Sequence, residues 1–179
     1  MNKISGILSF LAFFPYVWAI VVKGQTIPSP VTWFIWASVD TLTLVAMIKE
    51  KANVGQLVGI VVGAWIITIL TAFFGKPTIE LVDLISIIGA LIGIALWKKY
   101  GDSLPAIVCS ELAVLIGAIP TFIKTYTNPS QEDPIAWSIW FLSGIFAFLA
   151  IKKWDLKNAL QPATFAVVDT IMFFLIIVI

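Results

Sequence analysis

Asp40 and Asp169 each stand near the middle of a long apolar stretch, with no basic residue within a turn of either. At the centre of a membrane helix an aspartate costs roughly 2.5–3.5 kcal/mol on insertion scales, so a lipid-facing position is excluded for both. Such a group is there to hold a proton or a polar part of a solute. Otherwise it is a protonated carboxyl hydrogen-bonded to Ser, Thr or backbone within its own part of the bundle. Glu111, two turns into another apolar stretch, is a further proton-site candidate, and Asp83 reads as a helix-start charge.

Aromatic residues supply the second kind of chemistry. Trp33 and Trp36, then Trp137 and Trp140, form two i,i+3 pairs. Tryptophan gathers at membrane interfaces for reasons unconnected with ligands, and this accounts for Trp33 and Trp137. Trp36 and Trp140 lie one turn deeper, where inward-facing rings would stack on a solute from both sides. Trp65, in mid-stretch, is read either as core packing or as the floor of a cavity. Pro15 and Pro120 each remove an amide donor two-thirds of the way along a stretch, giving a pair of hinges or a pair of static bends.

The elements that must carry these residues follow from composition. The 179 residues are 60% hydrophobic and 12% charged, with a mean hydropathy of +1.04. A water-soluble domain has only about half apolar residues. A hydrocarbon core about 30 Å thick needs roughly 20 helical residues. Seven such stretches are present, at 4–22, 31–48, 54–74, 80–97, 105–124, 134–151 and 159–179. Long runs without strict alternation indicate a helical bundle and not a barrel. The first stretch has the look of a signal peptide but no small-x-small cleavage site follows it, so it is expected to remain as a helix.

Lys3, Lys49, Lys51, Lys98, Lys99, Lys152, Lys153 and Lys157 fall on one side of this arrangement and Lys23, Lys76 and Lys124 on the other. The positive-inside rule puts the N-terminus in the cytoplasm of a cell (inner) membrane and Ile179 outside.

The chain also repeats itself. Phe14-Pro15-Tyr16, Lys23 and Pro30-x-x-Trp33-x-Ile35-Trp36 are answered by Ile119-Pro120-Thr121, Lys124 and Pro134-x-x-Trp137-x-Ile139-Trp140. Ile48-Lys49 matches Ile151-Lys152, and Gln56 matches Gln161. The expected organisation is an all-α membrane protein: a three-helix repeat over 1–77, a linker helix over 78–100, and a second, parallel three-helix repeat over 101–179. An odd linker is required for two odd repeats to share an orientation.

This three-plus-one-plus-three layout, with Pro in the first helix of each repeat and Trp in the second, resembles the SWEET/PQ-loop superfamily of sugar and small-solute carriers. The resemblance implies a substrate site near the midplane between the repeats and movement by alternating access. It also implies an extracellular N-terminus, opposite to the lysine count.

The expected function is transport of a small polar solute, sugar-like or related, by uniport or linked to protons. Trp36, Asp40, Trp65, Trp140 and Asp169 are the expected solute-binding residues, and Asp40, Asp169 and Glu111 the expected proton sites. Paired acids and tryptophans suit a nucleoside, an amino acid or a cationic solute equally well. The expected partners are the solute and the lipid bilayer, with a homo-oligomer open. A net charge of +1 without a basic run argues against nucleic acid.

With no histidine, the single Cys109 and no nucleophile or phosphate motif, no enzyme, metal or cofactor is expected. A retinal protein would need a lysine in the last helix, and 159–179 has none. The competing reading is a non-transporting assembly or accessory subunit. Its partner surfaces would be the glycine faces Gly55-x3-Gly59-x3-Gly63 and Gly89-x3-Gly93.

Overall fold

A computed structural model describes residues 1–26, 28, 30–74 and 81–178, without the side chains of Val82, Asp83, Ser86 and Pro120. The readings of Asp83 and Lys76, and of Ile179 as the outer end, lie outside the described residues. What is described is all-helical: α1 (Asn2–Leu11), α2 (Phe13–Val21), α3 (Pro30–Lys49), α4 (Gly55–Phe74), α5 (Leu81–Tyr100), α6 (Leu104–Thr127), α7 (Pro134–Leu149) and α8 (Leu156–Ile177). A short 3₁₀ turn, Pro129–Gln131, precedes α7.

Several of these helices have the dimensions of membrane spans. Among the described residues Asn2–Val21, Pro30–Lys49, Gly55–Phe74, Leu104–Thr127 and Leu156–Ile177 are long and apolar enough to cross a bilayer. The 16 residues of α7 are apolar but shorter. Their outer faces are apolar too, with Ile7, Phe14, Val62, Ile69, Ile123 and Phe174 all well exposed. A surface of that kind is stable against lipid and not against water.

Proline explains the one break in the first stretch. The helix is interrupted at Ala12, whose N–H reaches back to the Leu8 carbonyl at 3.0 Å, and restarts at Phe13. Pro15 thereby falls in the first turn of α2, where its missing donor is not needed. The parallel expectation for Pro120 rests on a side chain outside those described, and α6 runs as a single helix past it.

The order of packing is not the order of the chain. Helix α4 lies between α1 and α3, and α8 lies between α7 and α6. The two trios meet along α1 with α7 and along α3 with α6, closing a ring, while α5 sits outside against α6. The glycines set these distances. A Cβ at Gly59 would run into the Ser9 hydroxyl and the Gly6 carbonyl oxygen, and one at Gly63 into the Phe13 ring. Gly93 does the same for α5 against α6, where a Cβ would lie 2.9 Å from that of Cys109. These faces are used inside the chain.

At one end α8 begins on a side-chain cap. Asp155 accepts from the Asn158 N–H at 3.1 Å and pairs with Lys153 at 2.8 Å. Lys153 first, then the Asn158 side chain, hold the Asp155 carboxyl down at about 2. Because the folded value lies below the unfolded one, this stabilisation is complete above about pH 4 and is lost as pH falls toward 2. Thermal unfolding in detergent should show a Tm that drops across that window, and Asp155→Asn should flatten the drop. A slope unchanged in the variant would assign the acid sensitivity elsewhere.

Candidate functional site

Where the two trios face each other they enclose a cavity of about 430 Å³. Helix α3 contributes Trp33, Trp36 and Asp40, α7 contributes Trp137 and Trp140, and α8 contributes Phe165, Val168 and Asp169. Four of the five residues expected to bind solute, Trp36, Asp40, Trp140 and Asp169, therefore line one space. The lining is also paired in register. Phe13 and Ala118, Tyr16 and Thr121, Trp33 and Trp137, Trp36 and Trp140, Ile60 and Phe165, and Ala64 and Asp169 stand 104 or 105 residues apart, and all twelve line it.

Trp65 is absent from the lining and falls on the core-packing side of its two expected readings. Its neighbour Ala64 lines the cavity, and one step along a helix turns a side chain by about 100°. Trp65 consequently turns away from the cavity and packs half-buried against the cluster of Met47, Leu57, Val61 and Ile107, its indole N–H donating to Thr41 Oγ1 at 3.1 Å and its ring edge-on to the exposed Phe34. Trp33 and Trp137 also differ from the expectation of interfacial anchors, since both face the cavity.

The aromatic wall is continuous. Phe13 and Tyr16, flanking Pro15, lie between Trp33 on one side and Trp140 on the other, with ring centroids 5.0–6.3 Å apart. Trp140 packs on Trp137 at 5.0 Å and donates its indole N–H to the Ser9 carbonyl at 3.1 Å. Trp36 takes the equivalent place against α6, where Gly117 leaves room: a Cβ there would lie 2.6 Å from Trp36 Nε1.

Both aspartates are buried, and Asp40 Oδ1 and Asp169 Oδ2 have no hydrogen-bond partner among the described residues. Gly144 makes space for Asp169, since a Cβ there would come within 3.2 Å of Oδ2. Glu111 does not line the cavity. It is buried next to Asp40, with the Thr43 and Thr164 hydroxyls beside its carboxyl.

The cavity reaches the end of the bundle marked by Pro28, Lys124 and Glu132. Sequence reasoning used Lys124 for topology and as a mark of the repeat, and passed over Glu132. The signal available was the acidic pair Glu132-Asp133 immediately before Pro134-x-x-Trp137. Glu132 accepts from Trp137 Nε1 at 3.1 Å and pairs with Lys124 at 3.4 Å. Burial pushes its carboxyl above the usual range, with Lys124 and the indole pulling the other way. Asp133 caps α7 through the Ala136 N–H at 2.9 Å and pairs with Lys23 of the other trio at 3.4 Å.

Toward the opposite end the space closes. One turn beyond Ile60 and Phe165, Gln161 Nε2 donates to Gln56 Oε1 at 3.3 Å, joining α8 to α4. Farther out, Lys157 bridges Glu50 at 3.1 Å and Asp102 at 2.9 Å. The Ser103 hydroxyl, then Lys157, hold the Glu50 carboxyl below its ordinary range. The arrangement is a chamber open toward one end of the bundle and shut toward the other. Comparison with protein-family models, with curated proteins and with solved structures finds no match for this chain.

Proposed function

We propose that the chain is a seven-span carrier of a small polar solute, working by alternating access between two parallel three-helix repeats joined by α5. The observation that carries this reading is the cavity between the trios, to which both halves bring acid and tryptophan. The order of packing supports it: the middle helix of each trio is the third in its sequence order, and the two seams, α1 with α7 and α3 with α6, exchange under a twofold operation. The paired register of the lining supports it further. So does the meeting of Gln56 with Gln161, because equivalent residues touch each other only close to such an axis.

In this reading the solute enters past Lys124 and Glu132, rests against Asp40 and Asp169, and leaves after the Gln56–Gln161 end parts. The break before Pro15 is the hinge candidate in the first half. Proton linkage would use Asp40, Asp169 and Glu111. The lysine distribution puts the open end outside the cell and the N-terminus in the cytoplasm. Gly55, Gly59, Gly63 and Gly93 pack within the chain, which leaves Gly89 as the one glycine of the accessory-subunit reading without a close neighbour among the described residues.

Proteoliposomes loaded for counterflow with glucose, lysine, adenosine or choline test the proposal. Saturable exchange of at least one is expected, with the initial rate reduced at least tenfold by Asp40→Asn or Asp169→Asn. Absence of exchange for the whole panel, or exchange indifferent to both substitutions, would count against a carrier.

A further inference from the structure

The deep part of the chamber holds two acids, and no basic residue of the lining lies beside them. Trp137 and Trp140 have already given their N–H groups to Glu132 and to the Ser9 carbonyl, so they offer a ligand ring surface and not donors. Among the lining residues the one cation is Lys124, at the open end and paired with Glu132. Deeper in, Asp40 and Asp169 are 3% and 4% exposed, and each keeps a carboxyl oxygen unpartnered among the described residues.

A buried carboxyl oxygen without a partner is costly whether the group is neutral or ionised, which makes a resident ligand the natural source of the missing donor or charge. Aromatic faces beside carboxylates attract a cationic nitrogen, through the ring quadrupole and through direct charge pairing. The volume of 430 Å³ exceeds what a bare ion requires and falls within the range of about 300–1,000 Å³ typical of small organic ligands.

Resting on the carrier reading, we infer that the solute is a monovalent organic cation, its charged nitrogen set against Asp40 and Asp169 and its body laid among Trp36, Trp137 and Trp140. Glu132, at the open end, adds a third acidic group along the entry path.

Isothermal titration of the detergent-purified full chain separates the possibilities, with benzyltrimethylammonium as the cationic probe and benzyl alcohol, benzoate and glucose as comparators. Saturable binding of benzyltrimethylammonium at least tenfold tighter than any comparator is expected. Asp40→Asn and Asp169→Asn, each with an unchanged gel-filtration profile, should weaken it at least tenfold, and Trp140→Phe by a smaller factor. Tighter binding of benzoate or glucose would overturn the cation assignment and leave the carrier standing. Failure of all four probes, with counterflow also silent, would remove both.

Discussion

Trp140→Ala is expected to destabilise the protein by about 3–5 kcal/mol, the range for removing a buried tryptophan. The ring is 7% exposed and is the common neighbour of Phe13, Tyr16 and Trp137. Its N–H is also one of two side-chain bonds from α7 to the backbone of α1, the other being Ser143 Oγ to the Ser5 carbonyl at 2.9 Å. Truncation therefore loosens the seam between the trios and enlarges the chamber at once. Trp140→Phe keeps most of the packing and forfeits the hydrogen bond, worth about 1 kcal/mol. Reversible unfolding in mixed detergent should place the two variants in that order. Equal stabilities for wild type and Trp140→Ala would mean that the seam is held by other groups.

Gly59→Val should be worse, because the obstruction is backbone. The new Cβ would meet the Gly6 carbonyl oxygen and lie 3.0 Å from the Phe10 nitrogen, so α4 could accept it only by moving off α1. Overpacking ordinarily costs about 1–3 kcal/mol when side chains can adjust. Here the bond from Ser9 Oγ to the Gln56 carbonyl, 2.9 Å, is lost as well, adding about 1 kcal/mol. The expected outcome is little folded protein by gel filtration. Gly89→Ala is the matched control: its Cβ finds only the Cys109 carbonyl, at 3.9 Å, and should change stability by no more than about 0.5 kcal/mol. A monodisperse, wild-type-like Gly59→Val would show that α1 and α4 do not pack as described.

Element positions were legible because lipid imposes a length: the later apolar stretches each became one helix within a few residues of the expected limits, and the first became α1 and α2. The Pro15 break was legible because the missing donor is a covalent fact. Asp40 and Asp169 could be singled out since a mid-helix carboxylate has few places to go. Facing was harder to read. A helix apolar on every side gives no phase, which is why Trp65 was left between core packing and the cavity floor while Trp33 and Trp137 were assigned to the membrane surface. Tyr16, Phe13 and Glu132 escaped notice for a related reason. Their role comes from helices brought together out of chain order, and no local pattern encodes that. The likeness of Gln56 to Gln161 was visible in the sequence, but their contact was not.

That contact has an electrical consequence. In the proposed carrier, where this contact is the inner closure, two primary amides carry no net charge, so parting them displaces none across the bilayer, and the membrane potential exerts no net force on that pair. Any voltage sensitivity must then arise from the ionised groups or from whatever occupies the chamber. The closure itself should work alike in an energised and a depolarised cell.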